Sequence, residues 1–105
     1  MPVKKYNKLV RDKIPDIIKK HGSTPIIHTA KRKEYSDKLL TKLREEVNEF
    51  ITSPSPEELV DILEVIDAII TLNKFNRKTI TRIKRQKAQQ RGRFKKRIIL
   101  DQVKE

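Results

Sequence analysis

The apolar positions of this chain recur mostly at steps of three and four. Leu39, Leu40, Leu43, Val47, Phe50 and Ile51 follow that rhythm, which predicts a helix over residues 31–52. A second such stretch begins at Ser55-Pro56-Glu57-Glu58. Ser55 suits the N-cap, Pro56 the first helical residue, and Glu58 the reciprocal acid of a capping box. This helix is expected to run to about residue 73. Its apolar residues, from Leu59 to Leu72, go almost all the way round, so it is expected to be buried on most sides. Between the two lies Ser53-Pro54-Ser55-Pro56, short enough for an antiparallel pair.

Shorter elements flank this pair. Pro15 fits the first position of a small helix with Ile14, Ile17 and Ile18 on one face, and Gly22 fits the left-handed residue that ends it. Asn76 is a candidate cap for a helix over 77–91, ended by Gly92. Two β-branched stretches, 25–28 and 98–100, read as a small two-stranded ribbon. The fold class expected is all-α, an antiparallel helical bundle with that ribbon added, in a single domain spanning 1–105.

Composition adds little to the fold and more to the function. The chain has 105 residues and no cysteine, which removes thiolate chemistry and Cys-ligated zinc and is compatible with a cytoplasmic protein. No apolar run reaches the length of a membrane span, so no membrane partner is expected. The net charge of +12 is unevenly spread. Residues 34–67 hold ten acids against Lys38, Lys42 and Arg44, a net of −7, and the remainder holds four acids against 23 Lys and Arg, a net of +19. A core this small often completes itself by oligomerising, which predicts a homo-oligomer, dimer or tetramer.

The acids fall in two clusters, Glu45, Glu46 and Glu49, then Asp61, Glu64 and Asp67. Glu46 and Glu49 fall on one flank of the first helix's apolar stripe, whereas Lys42 and Arg44 read as solvent positions. Like charges at helical spacing repel, and flanks such as Ile62-Leu63 and Val65-Ile66 keep the second cluster from simply facing water. Opposed rows of acids demand a counter-charge. Oxygen-only ligands favour Mg²⁺, with Mn²⁺ as a substitute, over Zn²⁺. The bland alternative is a solvated acidic face. His21 and His28 are isolated and read as loop or strand-edge residues, and Tyr6, Tyr35, Phe50, Phe75 and Phe94 read first as core.

The acid pattern resembles the ExxE–gap–ExxD signature of the MazG-like all-α nucleoside triphosphate pyrophosphatases, a superfamily that includes phosphoribosyl-ATP pyrophosphohydrolase. The first half is Glu46-Val47-Asn48-Glu49, preceded by Glu45. The second is either Glu58-Leu59-Val60-Asp61 or Glu64-Val65-Ile66-Asp67. The family's gap of roughly a dozen residues or more favours Glu64 and Asp67. Tyr6-Asn7-Lys8-Leu9-Val10-Arg11-Asp12-Lys13-Ile14-Pro15, residues 58–67, and Lys87-Ala88-Gln89-Gln90-Arg91-Gly92 with Phe94 extend the likeness to a phosphoribosyl-ATP pyrophosphohydrolase-like house-cleaning subfamily over residues 6–100. Arg93 stands where that pattern carries a second glycine, a departure from it at the loop after Gly92.

The resemblance implies a Mg²⁺-dependent hydrolase that cleaves a nucleoside triphosphate between the α and β phosphates, giving a nucleoside monophosphate and pyrophosphate, as house-cleaning of non-canonical nucleotides. It implies Glu46, Glu49, Glu64 and Asp67 as metal ligands, with Glu45 and Asp61 as catalytic or water-activating acids. Lys8, Arg11, Lys13, Lys87 and Arg91 are the candidates for phosphate binding. The rival reading is a basic nucleic-acid-binding helical module built on 77–97, which carries eleven Lys or Arg and no acid. A third is a structural dimerising protein whose acids pair with a partner's basic residues.

Overall fold

Local signals set the ends of the helices. The computed structural model describes residues 2–105 and contains α1 (Ile14–Lys20), α2 (Arg32–Thr52), α3 (Pro56–Leu72) and α4 (Arg77–Arg91). The Ser55 hydroxyl accepts the Glu58 backbone N–H at 3.1 Å and starts α3. The Asn76 side chain does the same for the Thr79 N–H at 3.1 Å and starts α4. These bonds satisfy donors that no helical carbonyl can reach. Gly22 leaves α1 at φ +87 and Gly92 leaves α4 at φ +76, conformations open to glycine without steric cost.

By compactness the chain divides into two units, Met1–Asn73 and Lys74–Glu105. In the first, α2 and α3 pack together as a helical hairpin across the connection 53–55. Its buried apolar core among the described residues is Leu39 and Val65. Lys38 Nζ donates to the Asn7 carbonyl at 2.6 Å, which ties the segment carrying Lys8 and Arg11 to α2. The second unit holds α4 and the extended residues after it. Phe94 there is 96% exposed.

The structure departs from expectation in three places. No strand forms among the described residues, so the ribbon of 25–28 with 98–100 is absent. Ile26, Ile27, Ile98, Ile99 and Leu100 are all exposed, so their β-branched character meets no neighbouring strand to pair with. Next, α3 is not covered on most sides within this chain. A single partner helix hides one face and leaves Leu59, Val60, Leu63 and Ile66 exposed. Finally, Tyr6, Phe75 and Phe94 are exposed rather than core, while Tyr35 and Phe50 are half-buried.

Candidate metal centre

The hairpin connection decides which acids meet. Counting outward from Pro54, the middle of 53–55, Glu46 on α2 comes about level with residue 62 on α3. Asp61 lies one residue short of that level and Glu58 four, and their i, i+3 spacing puts both on the face of α3 that carries the buried Val65. Glu64 lies two residues past that level but about 100° round the helix from Val65, and Asp67 about 160° round, so both fall away from that buried face. Accordingly, Glu46, Glu58 and Asp61 can each offer a carboxylate oxygen within 4.8 Å of the others. Among the described residues no other group of three acids or histidines comes together in this way.

The burial of this group is uneven and informative. Glu46 is 5% exposed, an unusual place for a carboxylate on a helix. Its Oε1 pairs with Lys42 Nζ at 3.2 Å, but its Oε2 is buried with no hydrogen-bond partner. Glu58 Oε2 is in the same condition. The capping box is therefore one-sided: Ser55 caps Glu58, yet this Glu58 oxygen is turned to an inward site without a donor. A buried acceptor without a donor costs on the order of 1–3 kcal/mol, and more when charged. Asp61 is half-buried, and its Oδ1 accepts from Arg11 Nη2 at 2.8 Å. Two orphaned carboxylate oxygens beside a third carboxylate fit a hard divalent cation that takes only oxygen ligands.

The other candidates are distributed as follows. Glu45 is half-buried, 3.8 Å from Lys42 Nζ, and lines a cavity of about 80 Å³ with Tyr6, Asn7, Lys8, Leu9, Lys38, Thr41 and Lys42. Glu49, Glu64 and Asp67 occupy exposed positions outside the three-acid group. Lys8 and Lys13 are exposed in the segment before α1, with Lys8 Nζ 5.9 Å from the Tyr6 ring centre. Lys87 and Arg91 lie on α4, in the second unit. His28 Nε2 lies 2.8 Å from Glu34 Oε1, an exposed pair apart from the acids.

The sequence offers Glu58 both as the capping-box acid and as one of two candidates for the ExxD glutamate, and its position within about 20° of the buried Val65 on α3 is the signal that favours it. Lys42 was placed in solvent, but its side chain is only 20% exposed and is the internal counter-charge of Glu46. Its i, i+4 spacing from Glu46 was the available signal.

These features define an all-α chain whose central hairpin carries a partly desolvated carboxylate cluster. Among the described residues no helix is long and apolar enough to cross a membrane. No protein-family model matches the chain, and neither a curated protein nor a solved structure matches it.

Proposed function

We propose that this protein is a Mg²⁺-dependent nucleoside triphosphate pyrophosphohydrolase of MazG-like type, releasing a nucleoside monophosphate and pyrophosphate. The observation that carries the reading is the pair of buried, partnerless oxygens, Glu46 Oε2 and Glu58 Oε2, beside Asp61. In this reading Glu46, Glu58 and Asp61 hold the ion. When bound, Mg²⁺ (or Mn²⁺) supplies charge neutralisation on phosphate oxygens and a more acidic water.

The chain's own groups do the rest. Glu45 borders the small cavity, where its carboxylate accepts the proton of the water that attacks the α-phosphorus. Lys8, Arg11 and Lys13 lie on the segment docked on α2 through the Lys38–Asn7 bond, and they neutralise the leaving pyrophosphate. The exposed apolar residues of α3 support a homo-oligomer, because a second copy would cover Leu59, Val60, Leu63 and Ile66. A cytoplasmic role in clearing non-canonical nucleotides follows from the resemblance.

The test is pyrophosphate release from a panel of ordinary and modified triphosphates with Mg²⁺ or Mn²⁺, with products identified by phosphorus NMR. Turnover of at least one to monophosphate and pyrophosphate is expected. No turnover of any, or release of orthophosphate instead, contradicts the proposal.

One observation favours a second reading. At about 100° per residue, Lys78, Arg82 and Arg85 fall on the side of α4 opposite Lys87 and Arg91, so one small ligand cannot use both stripes. A phosphate backbone could. Salt-dependent binding of RNA or DNA that survives Glu46→Gln but not Arg82→Glu with Arg85→Glu would establish it.

A further inference from the structure

Two cations already sit against the carboxylate cluster. Lys42 Nζ lies 3.2 Å from Glu46 Oε1 and 3.8 Å from Glu45 Oε2. Arg11 Nη2 lies 2.8 Å from Asp61 Oδ1. Lys42 and Arg11 thus pair with Glu45, Glu46 and Asp61, and among the described residues no cation is paired with Glu58. Neither cation satisfies the buried oxygens, since Glu46 Oε2 and Glu58 Oε2 have no partner.

The two pairs differ in solvation. The Lys42 and Glu46 side chains are 20% and 7% exposed, so removing the lysine strands a charge in a poorly solvated place. Arg11 and Asp61, at 53% and 39%, are screened by water. Both cations are also able to move. A lysine ammonium is a point charge on a flexible stem and exchanges one acceptor for another without a geometric constraint. Lys42 borders the same cavity of about 80 Å³ as Lys8 and Glu45. Arg11 precedes α1 on irregular backbone, and its guanidinium fork matches phosphate as well as carboxylate.

We infer that Lys42 and Arg11 are resident counter-ions of the metal-free protein, which give up Glu46 and Asp61 to a divalent cation and turn to the phosphates that arrive with it. The inference deepens the proposed function and rests on it for the identity of the phosphate ligand. The exchange of cations does not need that identity, because it can be read with Mg²⁺ alone. Lys42 is thereby a phosphate-binding residue in waiting and not a fixed strut of α2.

The experiment compares the wild type with Lys42→Met and Arg11→Met by thermal melting and titration calorimetry, first with MgCl₂ alone and then with Mg²⁺ and a non-hydrolysable triphosphate. Without metal, Lys42→Met is expected to melt several degrees lower. Added Mg²⁺ should raise its Tm by more than it raises that of the wild type. Mg²⁺ alone should bind both variants more tightly than the wild type, because a competitor is gone. The triphosphate analogue should bind both about tenfold more weakly, the loss of one charge-assisted contact.

An equal Mg²⁺ shift in the wild type and both variants overturns the exchange and makes the two ion pairs ordinary struts. Weaker binding of Mg²⁺ alone by the variants overturns it too. If Lys42→Met does not fold without metal, Arg11→Met carries the same comparison, since its more exposed pair contributes less to folding. Wild-type protein that shows the Mg²⁺ effects but hydrolyses no triphosphate would sink the proposed function while leaving the exchange of cations standing.

Discussion

Helix α3 carries two acid pairs with the same spacing, Glu58 with Asp61 and Glu64 with Asp67. They meet opposite fates. Glu58 and Asp61 join Glu46 in a cluster with two buried, partnerless oxygens, whereas Glu64 and Asp67 stay on exposed positions. Nothing in the short motif distinguishes them. What does is the face of α3: at about 100° per residue, Glu58 and Asp61 lie within about 40° of the buried Val65, whereas Glu64 and Asp67 lie about 100° and about 160° away. A carboxylate pair can join a candidate ligand set when the opposite helix supplies a third oxygen and excludes water.

The contrast can be broken at its foundation. Leu39 is the most buried apolar side chain of the hairpin, at 2% exposure, while its neighbour Leu40 is 55% exposed. Leu39→Ala should cost about 3 kcal/mol of unfolding free energy in urea, and Leu40→Ala less than about 1 kcal/mol. Equal costs would mean that the packing that sets the register lies elsewhere. At the site itself, Glu58→Gln should lower pyrophosphate release by roughly 100-fold, about 2.7 kcal/mol in the barrier, whereas Glu64→Gln should stay within about twofold. Equal losses would return both pairs to the same role. A smaller effect separates the cap from the ligand: Ser55→Ala removes the bond to the Glu58 N–H and should cost about 1 kcal/mol of stability with activity kept above half. Should it abolish activity instead, Ser55 holds the Glu58 carboxylate as well as the helix start. The smallest effect belongs to Lys33→Ala, which breaks an exposed i, i+4 pair with Asp37 and should shift stability by less than about 0.5 kcal/mol in the same urea experiment.

Much of the fold was legible because its signals are local. Ser55, Pro56, Asn76, Gly22 and Gly92 each act within a turn of their own position, and the helix ends fall at or within a residue or two of where those residues put them. The ribbon failed for the opposite reason. A strand needs a neighbour, and β-branched residues at 25–28 and 98–100 say only that a strand would be tolerated. The site was half legible. Glu46 and Asp61 stood out as acids among apolar residues. Glu58 was hidden by its place in a complete capping signal, which explained the residue without exhausting it. Lys42 was hidden because a helical wheel scores the distance from the apolar stripe, not the acid one turn away that draws a lysine inward. The family gap favoured Glu64 and Asp67, but a gap counts residues along the chain and says nothing of which face of α3 meets α2.

Titration calorimetry with MgCl₂ on the wild type, Glu58→Gln and Glu64→Gln tests the central claim most directly. Saturable uptake of a divalent ion by the wild type and by Glu64→Gln, lost or weakened about tenfold or more in Glu58→Gln, is the predicted result. Undiminished uptake by Glu58→Gln together with loss in Glu64→Gln would contradict it and move the ion to the other acid pair.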